Sequence, residues 1–367
     1  MLADHMTLAQ FLIEERRRHP ATGGDLDSLI LDVALACKAV ANRVALGTLR
    51  GTPGRDAPGR DAPGRIDRTN VHGEVQHTLE VIANDYFLRA TERSGCLAVL
   101  ASEELDEPHV PPAEIPRGNY LLVVDPLDGS SNIDLNASVG SIFSILRAPE
   151  PGVDATTEDF LQPGTAQVCA GYALYGPATM LVLTLGRGVH SFTLDPALGE
   201  FVLTQEPIRV PRPASEAAIN ASNRPFWEPA VRRYVDGCRT GRSGSRHQDF
   251  NMLSVASLVA ETHRILTRGG VFLCPRDTKD PAKPGRLRLL FEANPVALLI
   301  EQAGGAASTG RERVLDVIPS GLHEHCPLIF GAEDAVALID RYHQQHNDRP
   351  YDSPLYGDRG LFRVGTG

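Results

Sequence analysis

Apolar residues recur at helical spacing over 8–18 and again over 26–49, with Asp25 or Asp27 placed to cap the second stretch. Two copies of Gly-Arg-Asp-Ala-Pro follow directly, at 54–58 and 59–63, and read as a low-complexity loop across about 50–70 rather than as a structural repeat. Helical spacing returns over 71–93. From Cys96 to Phe201 the pattern changes to short runs of β-branched and aromatic residues, mostly strands. Beyond that point β runs at 271–273, 287–291 and 327–330 alternate with helical stretches at 251–267, 295–303 and 332–343. The pattern predicts a layered α/β protein with sheets between helices.

The chain has 367 residues, 42% of them hydrophobic, enough for one large or two closely packed domains. Its 36 basic and 46 acidic residues leave a formal charge of −10, which argues against nucleic acid or an anionic membrane as the main partner while allowing a local basic pocket. No membrane span is expected, because Asp32 and Lys38 interrupt the best apolar stretch, and Glu14 and Glu15 end the short one near the start. Six scattered cysteines with no Cys-x-x-Cys pair suggest reduced thiols, and together these features point to a cytoplasmic protein.

The most informative segment is Val123-Val124-Asp125-Pro126-Leu127-Asp128-Gly129-Ser130-Ser131-Asn132. Tyr120 to Val124 reads as a buried strand, and Pro126 cannot donate to a ladder, so pairing is expected to stop there with Asp125 at the strand end. Asp128, three residues on, can face the same hard cation, and Leu127 can lend its carbonyl oxygen. Gly129 permits close backbone approach, while Ser130, Ser131 and Asn132 offer hydroxyls, an amide and N–H groups to a phosphate beside the metal. In isolation Asp-Pro-Leu-Asp-Gly reads equally well as a polar turn. Its company decides otherwise. The apolar run 96–101 ends in Ser102-Glu103-Glu104, and Leu287-Arg288-Leu289-Leu290-Phe291 ends in Glu292. Acids at three strand ends are costly to bury unless they are paired or bind metal, so convergence of Glu103, Glu104, Asp125, Asp128 and Glu292 implies a divalent-cation cluster.

The run 125–132, continued by Ile133-Asp134 and Ser138-Val139-Gly140-Ser141-Ile142-Phe143, resembles the signature of class I fructose-1,6-bisphosphatase, whose shorter Asp-Pro-x-Asp-Gly core is shared with the inositol monophosphatase superfamily. The resemblance extends through Leu161-Gln162-Pro163-Gly164, the segment 170–180, Leu194-Asp195-Pro196, His263-Arg264, Gly269-Gly270, the segment 286–295 and Val314-Leu315-Asp316. It covers the chain from Leu8 to about His343.

This resemblance implies an α-β-α-β-α fold in two packed parts. An N-terminal metal, 1-phosphate and allosteric-type part would occupy 1–200, a sugar-phosphate part 201–343, and a tail 344–367. It implies hydrolysis of the 1-phosphate of fructose 1,6-bisphosphate by a cytoplasmic homotetramer, in gluconeogenesis or a Calvin cycle, without a phosphoenzyme. Two or three Mg2+ ions per subunit, with Mn2+ as a substitute, would be held by Glu103, Asp125, Asp128, Glu292 and the Leu127 carbonyl. Glu104 and Glu80 would take the proton from water, Asp128, Gly129, Ser130 and Ser131 would meet the phosphoryl group, and Asn220 and Arg286 the sugar phosphate. Glu74 matches a further acidic position, in a loop that the family moves over its metal site.

Departures accompany the matches. Leu253-Ser254 replaces the family's Arg followed by an aromatic, and Cys274 replaces its Tyr, so distal phosphate contacts are expected to thin or to come from Arg242, Arg246 or His247. Gly23, Asp27 and Asn119 replace Thr, Thr and Lys of the AMP site, leaving Tyr120 and Arg147 as matches, so weak or absent AMP inhibition is expected. The stretch 149–164 lacks the cysteines of the plastid insertion. The altered distal pocket also leaves open a dual or preferential sedoheptulose-1,7-bisphosphatase. A non-catalytic sugar-phosphate-binding protein is a third reading, disfavoured by retention of the acids.

Overall fold

The computed structural model describes residues 6–20, 23–46, 65–69, 75–244, 246–280 and 283–345. Glu74 and most of the loop 50–70 lie outside them.

Helix α1 (Leu8–Arg18) starts at Thr7, whose hydroxyl accepts the Gln10 N–H while the Gln10 side chain accepts the Thr7 N–H, a capping box. Helix α2 (Gly24–Leu46) buries Leu26, Leu29, Ile30, Val33, Ala36, Cys37 and Val40, the stripe expected from its spacing. Strands β1 (Arg65–Thr69) and β2 (Val75–His77) form an antiparallel ribbon, so α3 (Thr78–Thr91) is shorter than the helix expected over 71–93.

Seven strands then lie side by side in sequence order: β3 (Leu97–Ser102), β4 (Tyr120–Asp128), β5 (Val139–Arg147), β6 (Cys169–Tyr175), β7 (Thr179–Thr184), β8 (Val189–Asp195) and β9 (Glu200–Ile208). Only β3 and β4 are parallel neighbours in this sheet. A second, five-stranded sheet takes β10 (Glu216–Ile219), β11 (Asn251–Met252), β12 (Val271–Cys274), β14 (Ala306–Ser308) and β16 (Leu328–Gly331), ordered β11-β10-β12-β16-β14. The short β13 (Leu287–Arg288) and β15 (His325–Cys326) pair separately.

Helices α1, α2 and α3 cover one face of the large sheet. Helices α5 (Leu258–Arg268) and α6 (Asn294–Gln302) fill the space between the sheets, and α4 (Pro229–Arg239) and α7 (Glu333–Gln344) close the far side. This is the expected α-β-α-β-α layering. Close backbone packing holds it together: at Gly140 a Cβ would lie 2.5 Å from the Ala173 carbonyl oxygen and 2.7 Å from Val259 of α5, which is why the middle helix can press against the large sheet there.

Three local expectations are corrected. Strand β4 does not stop at Pro126 but runs to Asp128, because a register shift between Asp125↔Ile142 and Asp128↔Gly140 lets the proline pass without a ladder bond. The expected strand 287–291 pairs only at Leu287 and Arg288; residues Leu289–Ala293 form a π turn that opens directly into α6. The expected helix over 251–267 begins at Leu258, after β11 and a loop.

Candidate active site

The β4 bulge and the π turn bring three acids together. Carboxylate oxygens of Asp125, Asp128 and Glu292 lie within 4.8 Å of one another. Asp125 is 3% exposed, Asp128 9% and Glu292 8%, so none can be treated as a solvated surface acid. Burial pushes the Asp125 carboxyl well above its ordinary range, and the neighbouring charges of Asp128, Glu292 and Glu104 push it further, against a bond from the Leu127 N–H at 3.1 Å. Three buried, mutually repelling carboxylates are the donor set of a hard divalent cation, so these residues fit the metal the sequence implied.

Asp128 is held from across the layers. Its Oδ2 accepts the Ser257 hydroxyl at 2.8 Å and the Val259 N–H at 2.9 Å, and its Oδ1 accepts the Leu258 N–H at 3.3 Å. The carboxylate thus caps α5, where free N–H groups and the helix dipole favour negative charge. Burial raises its pKa, and these bonds oppose the shift. Glu292 is fixed by the Arg288 N–H, which donates to its Oε2 at 2.6 Å.

Glu103 and Glu104 sit at the end of β3, as expected, but in different settings. Glu103 forms an ion pair with the buried Arg288. Glu104 lies near enough to Asp125 to raise its pKa. The turn carrying both is held by His323, which stacks on Phe291 and bonds the Leu105 carbonyl at 2.9 Å. Glu80 lies in the first turn of α3. One turn later Asn84 accepts the Ser102 hydroxyl at 2.7 Å, which fastens that face of α3 to the end of β3.

Gly129 has φ of +78°, and a Cβ there would stand 3.0 Å from the Ser257 Cβ, so conformation and space both require glycine. Residues Ser130–Asn132 form a single 3-10 turn in which Ser130 is half-buried, Ser131 exposed and Asn132 buried. Asn132 pins this turn by donating to the Ser138 carbonyl at 3.2 Å and the Ala256 carbonyl at 3.4 Å. Ser141 supports the bulge below it, donating to the Pro126 carbonyl at 2.7 Å and meeting the Tyr175 hydroxyl at 2.8 Å.

Asp128 also borders a cleft of about 650 Å3 that reaches Asn220 and Arg286, so the residues matched to the two ends of a sugar bisphosphate line one cavity. Leu253, Ser254 and Cys274 line it as well, while Arg242, Arg246 and His247 are not among its described walls. Arg246 stacks on Tyr234 and Phe250, and Arg242 pairs with Asp249 at 3.0 Å. The sequence motifs do not single out Ser257, Arg288 or Asp277, a further cleft residue. Ser257 carried a usable signal, a capping residue directly before the apolar period 258–268. The other two are visible only through their ion pairs.

The residues matched to the AMP site also gather in one place. Asp27 pairs with Arg16 at 3.1 Å, Asn119 donates to Asp25 at 3.3 Å, and the Arg147 guanidinium lies 5.7 Å from the Tyr120 ring centre.

Comparison with known proteins agrees with this arrangement. Residues 6–206 match the model of the fructose-1-6-bisphosphatase N-terminal domain, and residues 210–344 that of its C-terminal domain. The chain is 59% identical over 356 residues to "Fructose-1,6-bisphosphatase class 1 3" of Methylibium petroleiphilum, covering 97% of each chain. It is 58% identical over 361 residues to "Fructose-1,6-bisphosphatase class 1" of Hydrogenophilus thermoluteolus, covering 98% of each. Among solved structures, the holo form of Leishmania major fructose-1,6-bisphosphatase superposes with a TM-score of 0.83 at 35% identity, covering 93% of this chain and 99% of that one.

Proposed function

Because the chain belongs to the class 1 fructose-1,6-bisphosphatase family, we propose that the buried Asp125, Asp128 and Glu292 form the core of its hydrolytic site. The protein is an enzyme of carbohydrate metabolism that hydrolyses fructose 1,6-bisphosphate, the substrate its relatives are named for, and the sedoheptulose 1,7-bisphosphate reading is not favoured. The observation that carries the site assignment is the meeting of three acids from two distant segments beside a cleft long enough to reach Arg286.

Asp125, Asp128, Glu292, the Leu127 carbonyl and Glu103 would hold divalent cations, Mg2+ in two or three sites or Mn2+ in its place. For Glu103 this requires exchanging its Arg288 partner. When bound, such cations neutralise charge on the phosphoryl oxygens and lower the pKa of water. The protein's own residues supply the geometry. Ser130, Ser131 and the nearby amides orient the 1-phosphate at the turn that follows Gly129. Glu104 takes a proton from the attacking water at its carboxylate, with Glu80 approaching from α3. No phosphoenzyme is required. Asn220 and Arg286, which line the same cleft, hold the far end of the sugar phosphate.

We also propose a metal and 1-phosphate part over 1–200 and a sugar-phosphate part over 201–343, a homotetrameric assembly and a cytoplasmic location, serving gluconeogenesis or a Calvin cycle. The absence of any helix long and apolar enough to cross a membrane, among the described residues, agrees with the composition. Phosphate release from fructose 1,6-bisphosphate, sedoheptulose 1,7-bisphosphate and inositol 1-phosphate, each with and without Mg2+, tests the assignment. Mg2+-dependent release with the highest kcat/KM for the first supports it. A preference for the second would move the substrate, and no release from any would return the chain to a binding role.

A further inference from the structure

Among the described residues lining the cleft, Arg286 is the one cation, and Asp128 and Asp277 are the two acids. Asp128 belongs to the metal end. Asp277 lines the same cleft and is paired with Arg286: the guanidinium Nη2 lies 3.0 Å from its Oδ2. The two partners are held unequally. The Asp277 side chain is 9% exposed, its Oδ1 accepts the Lys279 N–H at 3.0 Å, and its backbone bridges to Trp227. The Arg286 side chain is 47% exposed and its tip is open to the cleft. A largely buried, hydrogen-bonded carboxylate is therefore built against a more exposed cation, at the residue matched to the sugar-phosphate contact.

On the reading that Arg286 meets that distal phosphate, we propose that Asp277 is a specificity-determining residue that competes with the phosphate for the Arg286 guanidinium. Two consequences follow from the charges. Asp277 holds Arg286 at the cleft wall when no substrate is present, and it opposes a dianion bound on the other side of the same guanidinium, roughly 6 Å away if both contact it. The carboxylate thereby sets the distal subsite to moderate affinity and penalises ligands by their charge at that end. A sugar phosphate with no distal charge is indifferent to it.

The test is the KM of the full chain, with Mg2+ present, for fructose 1,6-bisphosphate and for fructose 1-phosphate, which lacks the distal phosphate. Asp277→Asn keeps an oxygen to accept the Lys279 N–H and removes only the charge. Its KM for the bisphosphate should fall about fivefold, an attraction that weakens as salt is raised, while its KM for fructose 1-phosphate stays that of the wild type. Arg286→Ala serves as the companion and should raise KM for the bisphosphate alone. If Arg286→Ala raises that KM and Asp277→Asn leaves it unchanged or raises it, the competition is refuted and the role of Arg286 stands. If Arg286→Ala leaves it unchanged, Arg286 does not meet the distal phosphate and the premise itself falls. Equal shifts for both substrates in Asp277→Asn would reveal general damage to the cleft and also overturn the proposal.

Discussion

Ser257→Ala removes one oxygen that serves two elements. The hydroxyl donates to Asp128 at 2.8 Å and accepts the Ala260 N–H at 3.2 Å, so it anchors the acidic site and caps α5 together. Loss of an N-cap costs about 1 kcal/mol. Loss of a hydrogen bond to a charged group costs about 1.5 to 3 kcal/mol, toward the lower end here because Asp128 keeps the Leu258 and Val259 N–H groups. The sum predicts about 2.5 kcal/mol of lost stability. Urea unfolding of the metal-free protein, followed by fluorescence of the single tryptophan Trp227, which is 3% exposed, reads this as a lower midpoint at unchanged slope. Ser257 and Asp128 should also be energetically coupled. In an Asp128→Asn background the same substitution should cost about 1 kcal/mol less, because the charge-assisted part is already weakened. A loss below about 0.5 kcal/mol in the wild-type background, or equal losses in both backgrounds, would show that Ser257 does not clasp Asp128 to α5.

Further outcomes follow from other residues. Arg288→Leu leaves Glu103 without its guanidinium partner in a half-buried site and should cost about 3 kcal/mol in the same urea experiment, whereas Arg288→Lys should recover part of it. His263, half-buried and bonded to the Tyr172 hydroxyl at 2.9 Å, has its pKa lowered by partial burial from the ordinary 6.5. The unfolded chain therefore binds this proton first, so stability at this site is complete above pH 6.5 and is lost as pH falls from there through the folded value. Unfolding free energy measured from pH 7.5 to 5 should show this decline, and His263→Gln should remove its share. AMP should leave the rate nearly unchanged, since Asp27 replaces a hydroxyl that a nucleotide phosphate would need and Asp25 adds a second negative charge beside Asn119; a micromolar inhibition constant would contradict this.

The layered fold and the acidic cluster were readable because both follow from local patterns. Apolar period sets each element, and an acid directly after an apolar run is delivered to a sheet edge, as Glu103 and Glu104 are after β3. What periodicity could not show is irregular backbone. The bulge that carries Pro126 through β4 and the π turn at Leu289–Ala293 depend on neighbours distant in sequence, yet they bring Asp125, Asp128 and Glu292 to one point. Pairing was also hidden. Glu103 engages Arg288, 185 residues away, and no spacing rule announces such a partner. The distal pocket was legible as a set of replacements at Leu253, Ser254 and Cys274. The structure adds the Asp277 and Arg286 pair, which those replacements did not suggest.

The central claim is that Asp128 stands at the meeting point of metal, phosphate and cleft, and phosphate release by Asp128→Ala across a Mg2+ titration tests it most directly. The account predicts loss of phosphate release from fructose 1,6-bisphosphate at every Mg2+ concentration, with substrate binding through Arg286 still detectable. Near-normal turnover in that variant would contradict it.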